Sequence, residues 1–175
     1  MRKITQELFQ TLLDGASIRP RIKREVRFTT SVAHLDDEAW HRTELLPISD
    51  RAGNKGILLM QWDEQICAVA YEISRGITSS TGKAQPIICD FCRTWQTGSR
   101  SGSITLYKPG RDAGSISFLC CADLECSKHV RNLTSAAKTS RAQLREDLDN
   151  DQRVARLTQR LKEVSELLGL EPQVL

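Results

Sequence analysis

The first periodic pattern of apolar residues lies near the start of the chain. Within residues 3–14, Ile4, Leu8 and Leu12 recur at every fourth position, and Gly15 follows the last turn. This recurrence places the three side chains on one face of a helix, and a glycine commonly follows a helix end. The pattern therefore predicts a short amphipathic helix over residues 3–14.

A longer apolar stripe near the other end predicts a second amphipathic helix. Asp149 has Gln152 three positions later, which is the pattern of an N-terminal capping box. Gly169 and Pro172 then mark the helix end. Between these signals apolar residues recur at alternating spacings of three and four, at Val154, Leu157, Leu161, Val164 and Leu168. We expect a helix over residues 149–169 that packs on the rest of this protein, because the stripe is too short for a coiled-coil seam.

Two pairs of apolar segments between these helices predict β-hairpins. Ile57–Trp62 and Ile66–Ile73 flank a short polar turn. Ser103–Tyr107 alternates apolar and polar residues, and Ser115–Cys120 follows the turn KPGRDAG. Short β-prone runs joined by polar, glycine-containing turns are typical of hairpins. With the helices, they predict an α+β fold.

The segment SRGITSSTGKAQ, residues 74–85, is rich in glycine, serine and threonine and predicts a linker. We place a domain boundary there. Residues 1–80 then form an N-terminal region with a helix and a β-hairpin, and residues 86–138 form a second domain. Pro47 and the segment SDRAGNKG after it predict a loop. Residues 122–138 contain no helix breaker and predict one continuous helix.

Composition and charge narrow the class of protein. No apolar run reaches the ~18 residues of a membrane-spanning helix, and the N-terminal segment lacks the apolar core of a secretory signal. We therefore expect a cytoplasmic protein without membrane association. We also expect a monomer, because no long uncovered apolar stripe is evident in the sequence. The formal net charge is only +3, which is a weak basis for nucleic-acid binding. Five of six cysteines fall between residues 89 and 126, and clustered cysteines in a reducing compartment more often hold metal than form disulfides.

Four cysteines have the spacing of a zinc site. Cys89 and Cys92 form a C-x2-C turn, and Cys121 and Cys126 form a second pair after the predicted hairpin. The C-x2-C turn, called the knuckle below, is followed by a hairpin and then a helix. This order is the treble-clef arrangement. Four protein thiolates leave no open coordination position, so the pattern predicts one structural zinc ion. With four thiolates and one Zn²⁺, the formal charge falls to +1.

Spacing alone does not decide the identity of two of the four zinc ligands. Cys120 can replace Cys121, because adjacent strand residues face opposite sides and only one of them faces the metal. His129 can replace Cys126, although we expect His129 to be a surface residue. The remaining cysteine, Cys67, lies in an apolar run and is predicted to be a small buried side chain.

The sequence carries no pattern that indicates catalysis. Its three histidines, His34, His41 and His129, are scattered. It contains no nucleophile elbow, no P-loop and no paired-carboxylate motif. We therefore expect no enzymatic activity.

The segments IICDFCRT and FLCCADLECSKHVRN, with the glycine-containing hairpin between them, resemble the C-terminal treble-clef zinc finger of the elongation-factor-G-binding proteins. This group includes the FusB-type fusidic acid resistance proteins. The resemblance covers roughly residues 86–133 and is most specific at CADLECSKHVR. It implies binding to elongation factor G, release of the factor from the ribosome, and protection of translation against fusidic acid. It also implies the zinc ligands Cys89, Cys92, Cys121 and Cys126.

The resemblance continues weakly through the middle hairpin and the last helix. It departs at the front of the chain, because the resistance proteins carry a larger helical N-terminal domain. Factor binding is thus implied more directly than resistance. Zinc holds the knuckle and the hairpin rigid, so side chains exposed there are preorganised for a partner. We predict Phe91, Lys108 and Arg111 as partner contacts, since aromatic residues and arginine are frequent hot spots. The alternative for Phe91 is a place in a small core.

A second function is a zinc module that binds ribosomal RNA. Residues 17–28, SIRPRIKREVRF, carry five basic residues against the single Glu25. Such a stretch is a solvated surface or a phosphate-contacting patch. Phosphate contacts weaken steeply with salt, so salt dependence distinguishes RNA binding from protein binding.

Overall fold

The computed structural model describes residues 1–16, 18, 20–28, 32, 35–110, 113–144 and 146–174, with the side chains of residues 141–144 outside the description. Helices and strands occur in separate runs along the described chain, which confirms the predicted α+β class. The helices are α1 (Gln6–Gly15), α2 (Pro20–Glu25), α3 (Asp37–His41), α4 (Cys126–Val130), α5 (Ser135–Leu144) and α6 (Asn150–Leu168). The strands are β1 (Leu45–Ser49), β2 (Lys55–Trp62), β3 (Gln65–Arg75), β4 (Ile87–Ile88), β5 (Trp95–Gln96), β6 (Ser101–Tyr107), β7 (Ser115–Cys121) and β8 (Gln173–Val174).

One antiparallel sheet joins most of the strands. Its order is β1-β2-β3-β6-β7, and β8 pairs with the start of β3. Both predicted hairpins are present, as β2–β3 and β6–β7. Strand β3 also pairs with β6, from Tyr71 opposite Leu106 to Arg75 opposite Gly102. The boundary predicted at residues 74–85 therefore lies between strands of one continuous sheet, and its first two residues belong to β3.

At β2 the sheet is buried on both faces. In β2, Ile57 and Leu59 belong to a core with the N-terminal helices, whereas Leu58 and Met60 belong to a core with α6 and the clustered cysteines. This division follows from the two-residue period of a strand. The sheet is thus a central layer between the N-terminal helices and a layer that contains α6.

Strand β1 passes through Pro47, where the sequence predicts a loop. Pro47 lies opposite Leu58 of β2, and β1 is at the edge of the sheet. An edge strand tolerates proline, because its missing N–H can lie on the side without a neighbouring strand. The predicted loop begins only after Ser49.

The single helix predicted over residues 122–138 is wrong: the structure has two helices, α4 and α5. Leu124 and Asn132 have positive φ, at 55° and 56°. Asparagine enters the left-handed region more readily than most residues, and that conformation ends α4. The hydroxyl of Thr134 then accepts a hydrogen bond from the N–H of Ala137 at 3.1 Å and starts α5.

Helix α6 has the ends that the sequence predicts. The side chain of Asp149 accepts a hydrogen bond from the N–H of Gln152 at 2.8 Å, and the Gln152 side chain accepts one from the N–H of Asp149 at 3.0 Å. Gly169 follows the helix in the left-handed conformation, with φ of 68°. Leu157 and Leu161 are fully buried in the core that contains the cysteines. Neither α6 nor any other described helix is long and apolar enough to cross a membrane.

An ion pair ties the start of the sheet to α4. Arg131 donates to both carboxylate oxygens of Glu44, at 2.6 and 2.8 Å. The backbone N–H of Glu44 donates to the hydroxyl of Ser127 at 2.9 Å. Both side chains of the ion pair are largely buried, and a planar two-point contact of this kind fixes geometry as well as charge. Segments 87 residues apart are therefore held in one arrangement.

Two leucines of α6 test this packing. Leu157→Ala should lower the free energy of unfolding by about 2–5 kcal/mol, because it leaves a cavity in the core. Leu167→Ala is the matched control on the same helix, since Leu167 is 53% exposed, and its effect should stay within about 0.5 kcal/mol. Urea unfolding of zinc-loaded protein, followed by circular dichroism, measures both. Equal losses would contradict the described burial.

Candidate metal centre

Four buried thiols converge beside the sheet. Cys89 follows β4, Cys92 lies three residues later, Cys121 ends β7, and Cys126 begins α4. Their Sγ atoms all lie within 4.8 Å of one another. Each cysteine comes from the end of an element or from a tight turn, so the fold rather than the local sequence brings the pairs together.

The sulfur geometry fits one zinc ion. The Sγ atoms of Cys92 and Cys121 are 3.4 Å apart, and those of Cys89 and Cys126 are 3.8 Å apart. Zinc–thiolate bonds of ~2.3 Å in a tetrahedron place the sulfurs ~3.8 Å apart. All four cysteines are buried and fill a tetrahedral set by themselves. The cluster therefore fits a structural zinc ion.

A tight turn aligns the first cysteine pair. The N–H of Arg93 donates to the carbonyl of Cys89 at 2.9 Å, and the N–H of Cys89 donates to the carbonyl of Thr94 at 3.0 Å. Arg93 has φ of 60°, in the left-handed region. The chain thus reverses within a few residues and brings both thiols to the same side.

Asp90 attaches this turn to β7. Its N–H donates to the carbonyl of Leu119 at 2.8 Å, and its carboxylate accepts a hydrogen bond from the N–H of Leu119 at 2.7 Å. Leu119 is two residues before Cys121, so the two cysteine pairs are held in fixed register. The N–H of Leu124 closes the second turn on the carbonyl of Cys121 at 3.0 Å.

Two polar side chains support the sulfurs. The buried amide of Gln96 donates to Sγ of Cys121 at 3.2 Å, and Oγ1 of Thr94 lies 3.2 Å from Sγ of Cys92. Such contacts orient a metal ligand and stabilise its negative charge. Neither residue is evident from the sequence, because nothing local shows that β4 and β5 pair and turn Gln96 inward.

The charges of the thiols explain why the site requires a cation. Burial opposes ionisation of Cys89, but hydrogen bonds with Cys121, Cys126 and Cys92 outweigh it and hold its pKa well below the usual value. Hydrogen bonds with Cys121 and Cys89, together with burial, raise the pKa of Cys126. The four buried thiols therefore compete for a few protons. A divalent ion replaces those protons and lets all four ionise.

Cys120 and Cys67 are buried but lie outside the four-thiol cluster. Cys120 is next to Cys121 in β7 and pairs with Gly102. Burial raises the pKa of Cys120, and it raises the pKa of Cys67 to about 12. Both are therefore inert thiols, as predicted for Cys67.

His129 is not a surface residue, which corrects the prediction. It is 2% exposed, and its ring nitrogens lie 2.6 Å from Oγ1 of Thr134 and 3.2 Å from a carboxylate oxygen of Asp123. The four-thiol cluster contains Cys126, while both nitrogens of His129 have other partners. His129 instead braces the turn between Cys121 and α4.

The structure places the three predicted partner contacts in different environments. Phe91 is 1% exposed and its ring centroid lies 5.6 Å from that of Phe118, so it is a core residue and its prediction as an accessible contact is corrected. Lys108 is half-buried and follows β6, where its N–H donates to the carbonyl of Gly114 at 3.0 Å. Arg111 lies outside the described residues. For Lys108 the partner contact stays a prediction.

Comparison with known families adds one finding. A family model described as the FBP C-terminal treble-clef zinc-finger matches residues 16–167. The match contains the four-thiol cluster, both hairpins and almost all of α6. No curated protein and no solved structure matches the chain significantly.

Adjacent cysteines provide a matched test of the ligand set. Cys121→Ala should abolish stoichiometric zinc binding, because it removes one of four ligands. Cys120→Ala removes a buried thiol at the neighbouring position and should retain one zinc per chain. Elemental analysis of purified protein gives the zinc content. Full zinc in Cys121→Ala, or its loss in Cys120→Ala, would contradict the assignment.

The role of Gln96 predicts a graded effect. Gln96→Ala should weaken zinc binding by about 10–100-fold, because the sulfur of Cys121 loses its buried N–H donor. Gln10→Ala, an exposed glutamine of α1, is the control and should leave the affinity unchanged. Competition against a chromophoric zinc chelator measures both dissociation constants. An unchanged affinity in Gln96→Ala would exclude a supporting role.

Proposed function

The chain belongs to the FBP C-terminal treble-clef zinc-finger family, and from this membership we propose that it binds translation elongation factor G. The observation that carries the proposal is the family match over residues 16–167. The four-cysteine cluster that such a finger requires supports it. In this proposal the zinc ion supplies a rigid platform and takes no part in a reaction.

The proposed mechanism is binding without catalysis. Four protein thiols fill a tetrahedral zinc site, whereas a catalytic zinc keeps a position for water or substrate. The ion fixes the knuckle against β7, so partner-facing side chains lose little entropy on binding. We propose that the protein acts in the cytoplasm as a monomer and releases the factor from the ribosome. Protection of translation against fusidic acid would follow from that release.

Ribosomal RNA is the weaker candidate partner. In the basic stretch of residues 17–28, Arg21 pairs with Glu25 at 2.9 Å, and residues 17 and 19 lie outside the described part of the chain. With zinc bound, the formal charge of the chain is only +1. Nucleic-acid binding draws most of its affinity from phosphate contacts by basic residues. These features favour a protein partner.

Size-exclusion chromatography with elongation factor G of the same host tests the proposal. The zinc-loaded protein should co-elute with the factor at low and at high salt, because an interface with an apolar centre is less salt-sensitive than phosphate contacts. Absence of a complex at both salt concentrations would contradict factor binding.

The adjacent cysteine variants supply the control in the same assay. Cys121→Ala should lose the complex, and Cys120→Ala should retain it, because only the former disrupts the zinc platform. Ribosomes stalled with the factor and fusidic acid then report release, as factor left in the ribosome pellet. A complex without release would retain factor binding and exclude the release mechanism.

A further inference from the structure

A cavity of about 330 Å³ lies between the zinc knuckle and α6. Three arginines line it, Arg93 from the knuckle and Arg156 and Arg160 from α6, against two carboxylates, Asp90 and Glu163. The cavity is therefore net positive and directly borders the turn that the zinc ion holds.

Arg160 is held in place at the wall. Its Nε donates to the carbonyl of Asp90 at 3.2 Å, and its Nη1 donates to Glu163 at 3.1 Å. The guanidinium also lies 5.7 Å from the ring centroid of Phe118. A guanidinium has five N–H donors in a planar fork, and these contacts use only part of them. Arg160 thus keeps donors available in a fixed orientation.

The other two arginines also have spare donors. Arg93 is exposed and, within the described residues, makes no ion pair or side-chain hydrogen bond, while its backbone is fixed in the knuckle. Arg156 pairs with Glu146 through Nη1. Its Nη2 is buried and has no hydrogen-bond partner in the part of the chain that the structure describes. Because this atom is covered by protein, Arg93 and Arg160 are the arginines that present donors to the cavity.

The acidic residues of the cavity already have partners. The carboxylate of Asp90 accepts a hydrogen bond from the N–H of Leu119 at 2.7 Å. Glu163 accepts hydrogen bonds from Arg160 at 3.1 Å and from Gln159 at 3.3 Å. Neither is paired with Arg93, so the charge of the knuckle arginine is available to a ligand.

We propose that this cavity binds a carboxylate side chain from an acidic segment of a protein partner. Guanidinium forks match carboxylates with two parallel hydrogen bonds. Two exposed apolar residues flank the same knuckle: Ile88, 38% exposed, precedes Cys89, and Leu119, 40% exposed, is hydrogen-bonded to Asp90. Arginine beside exposed apolar side chains is the composition of a protein interface.

The same observations disfavour RNA as the ligand. RNA binding needs several phosphate contacts along an extended basic surface. This cavity is a single concave site with two carboxylates in its wall. The inference deepens the proposed function, and it rests on that function only for the identity of the partner.

Two hexameric probes test the chemistry of the site on the zinc-loaded full chain. A hexaglutamate peptide should shift the Nε–Hε signals of Arg93 and Arg160 in ¹H–¹⁵N spectra. Arg93→Glu should weaken that binding by about tenfold or more, which is the effect of losing a charge-assisted hydrogen bond. Arg51→Glu is the matched control, because Arg51 is an exposed arginine in the β1–β2 turn, and it should bind as the unmodified chain does. Each variant must first retain one zinc per chain.

Three results would overturn the inference: tighter binding of hexauridylate than of hexaglutamate, equal weakening by Arg93→Glu and Arg51→Glu, or no shift at either arginine. Arg160→Lys keeps the charge but removes the fork, and it should also weaken peptide binding.

The same variants in the elongation factor G assay separate the two claims. If the unmodified chain binds the factor and Arg93→Glu weakens the complex about tenfold, both stand. If Arg93→Glu and Arg51→Glu both bind the factor as tightly as the unmodified chain does, the inference fails and the proposed function remains. If the chain never binds the factor but hexaglutamate binding depends on Arg93, the proposed function fails and the acidic-ligand site remains.

Discussion

Four sulfur atoms from two turns, as far as 37 residues apart in sequence, must meet at one ion. The arrangement of β7, the knuckle and α4 follows from this requirement. The four cysteines also lie in the same apolar core as Leu157 and Leu161 of α6. Zinc binding therefore contributes directly to folding, because the ligands come together only in the folded chain. The metal centre and the α6 core are one structural unit.

The features that the sequence predicts are those with a local cause. The capping box of α6, its terminal Gly169, both hairpins and the C-x2-C turn each depend on residues a few positions apart. The features it does not predict depend on partners distant in sequence. Pro47 is in a strand because β1 lies at the edge of the sheet. The buried ring of His129 has its hydrogen-bond partners in Asp123 and Thr134, and Gln96 reaches a sulfur only because β4 and β5 pair. Asn132 ends α4 through a backbone conformation that several residue types adopt.

The zinc ion and the ion pair of Glu44 with Arg131 restrain the finger from two sides. The ion fixes its turns, and the ion pair fixes α4 against the start of β1. Ser127 adds a hydrogen bond at the same junction. The exposed part of the knuckle, around Arg93, is therefore held rigid by the restraints beneath it. Such a surface suits recognition by shape and charge, and it differs from a flexible loop that must be ordered at each encounter.

The pairing of β3 with β6 has a consequence for evolution. A chain that starts at residue 86 keeps all four ligand cysteines but loses β3, so β6 becomes an edge strand with unpaired backbone groups. Exposed edges of this kind favour aggregation. The finger and the N-terminal strands therefore share one sheet, and a fusion that carries the finger should also carry β3. Inserted sequence is best tolerated between the two parts, in the exposed loop around residues 79–85, which leaves the shared ladder intact.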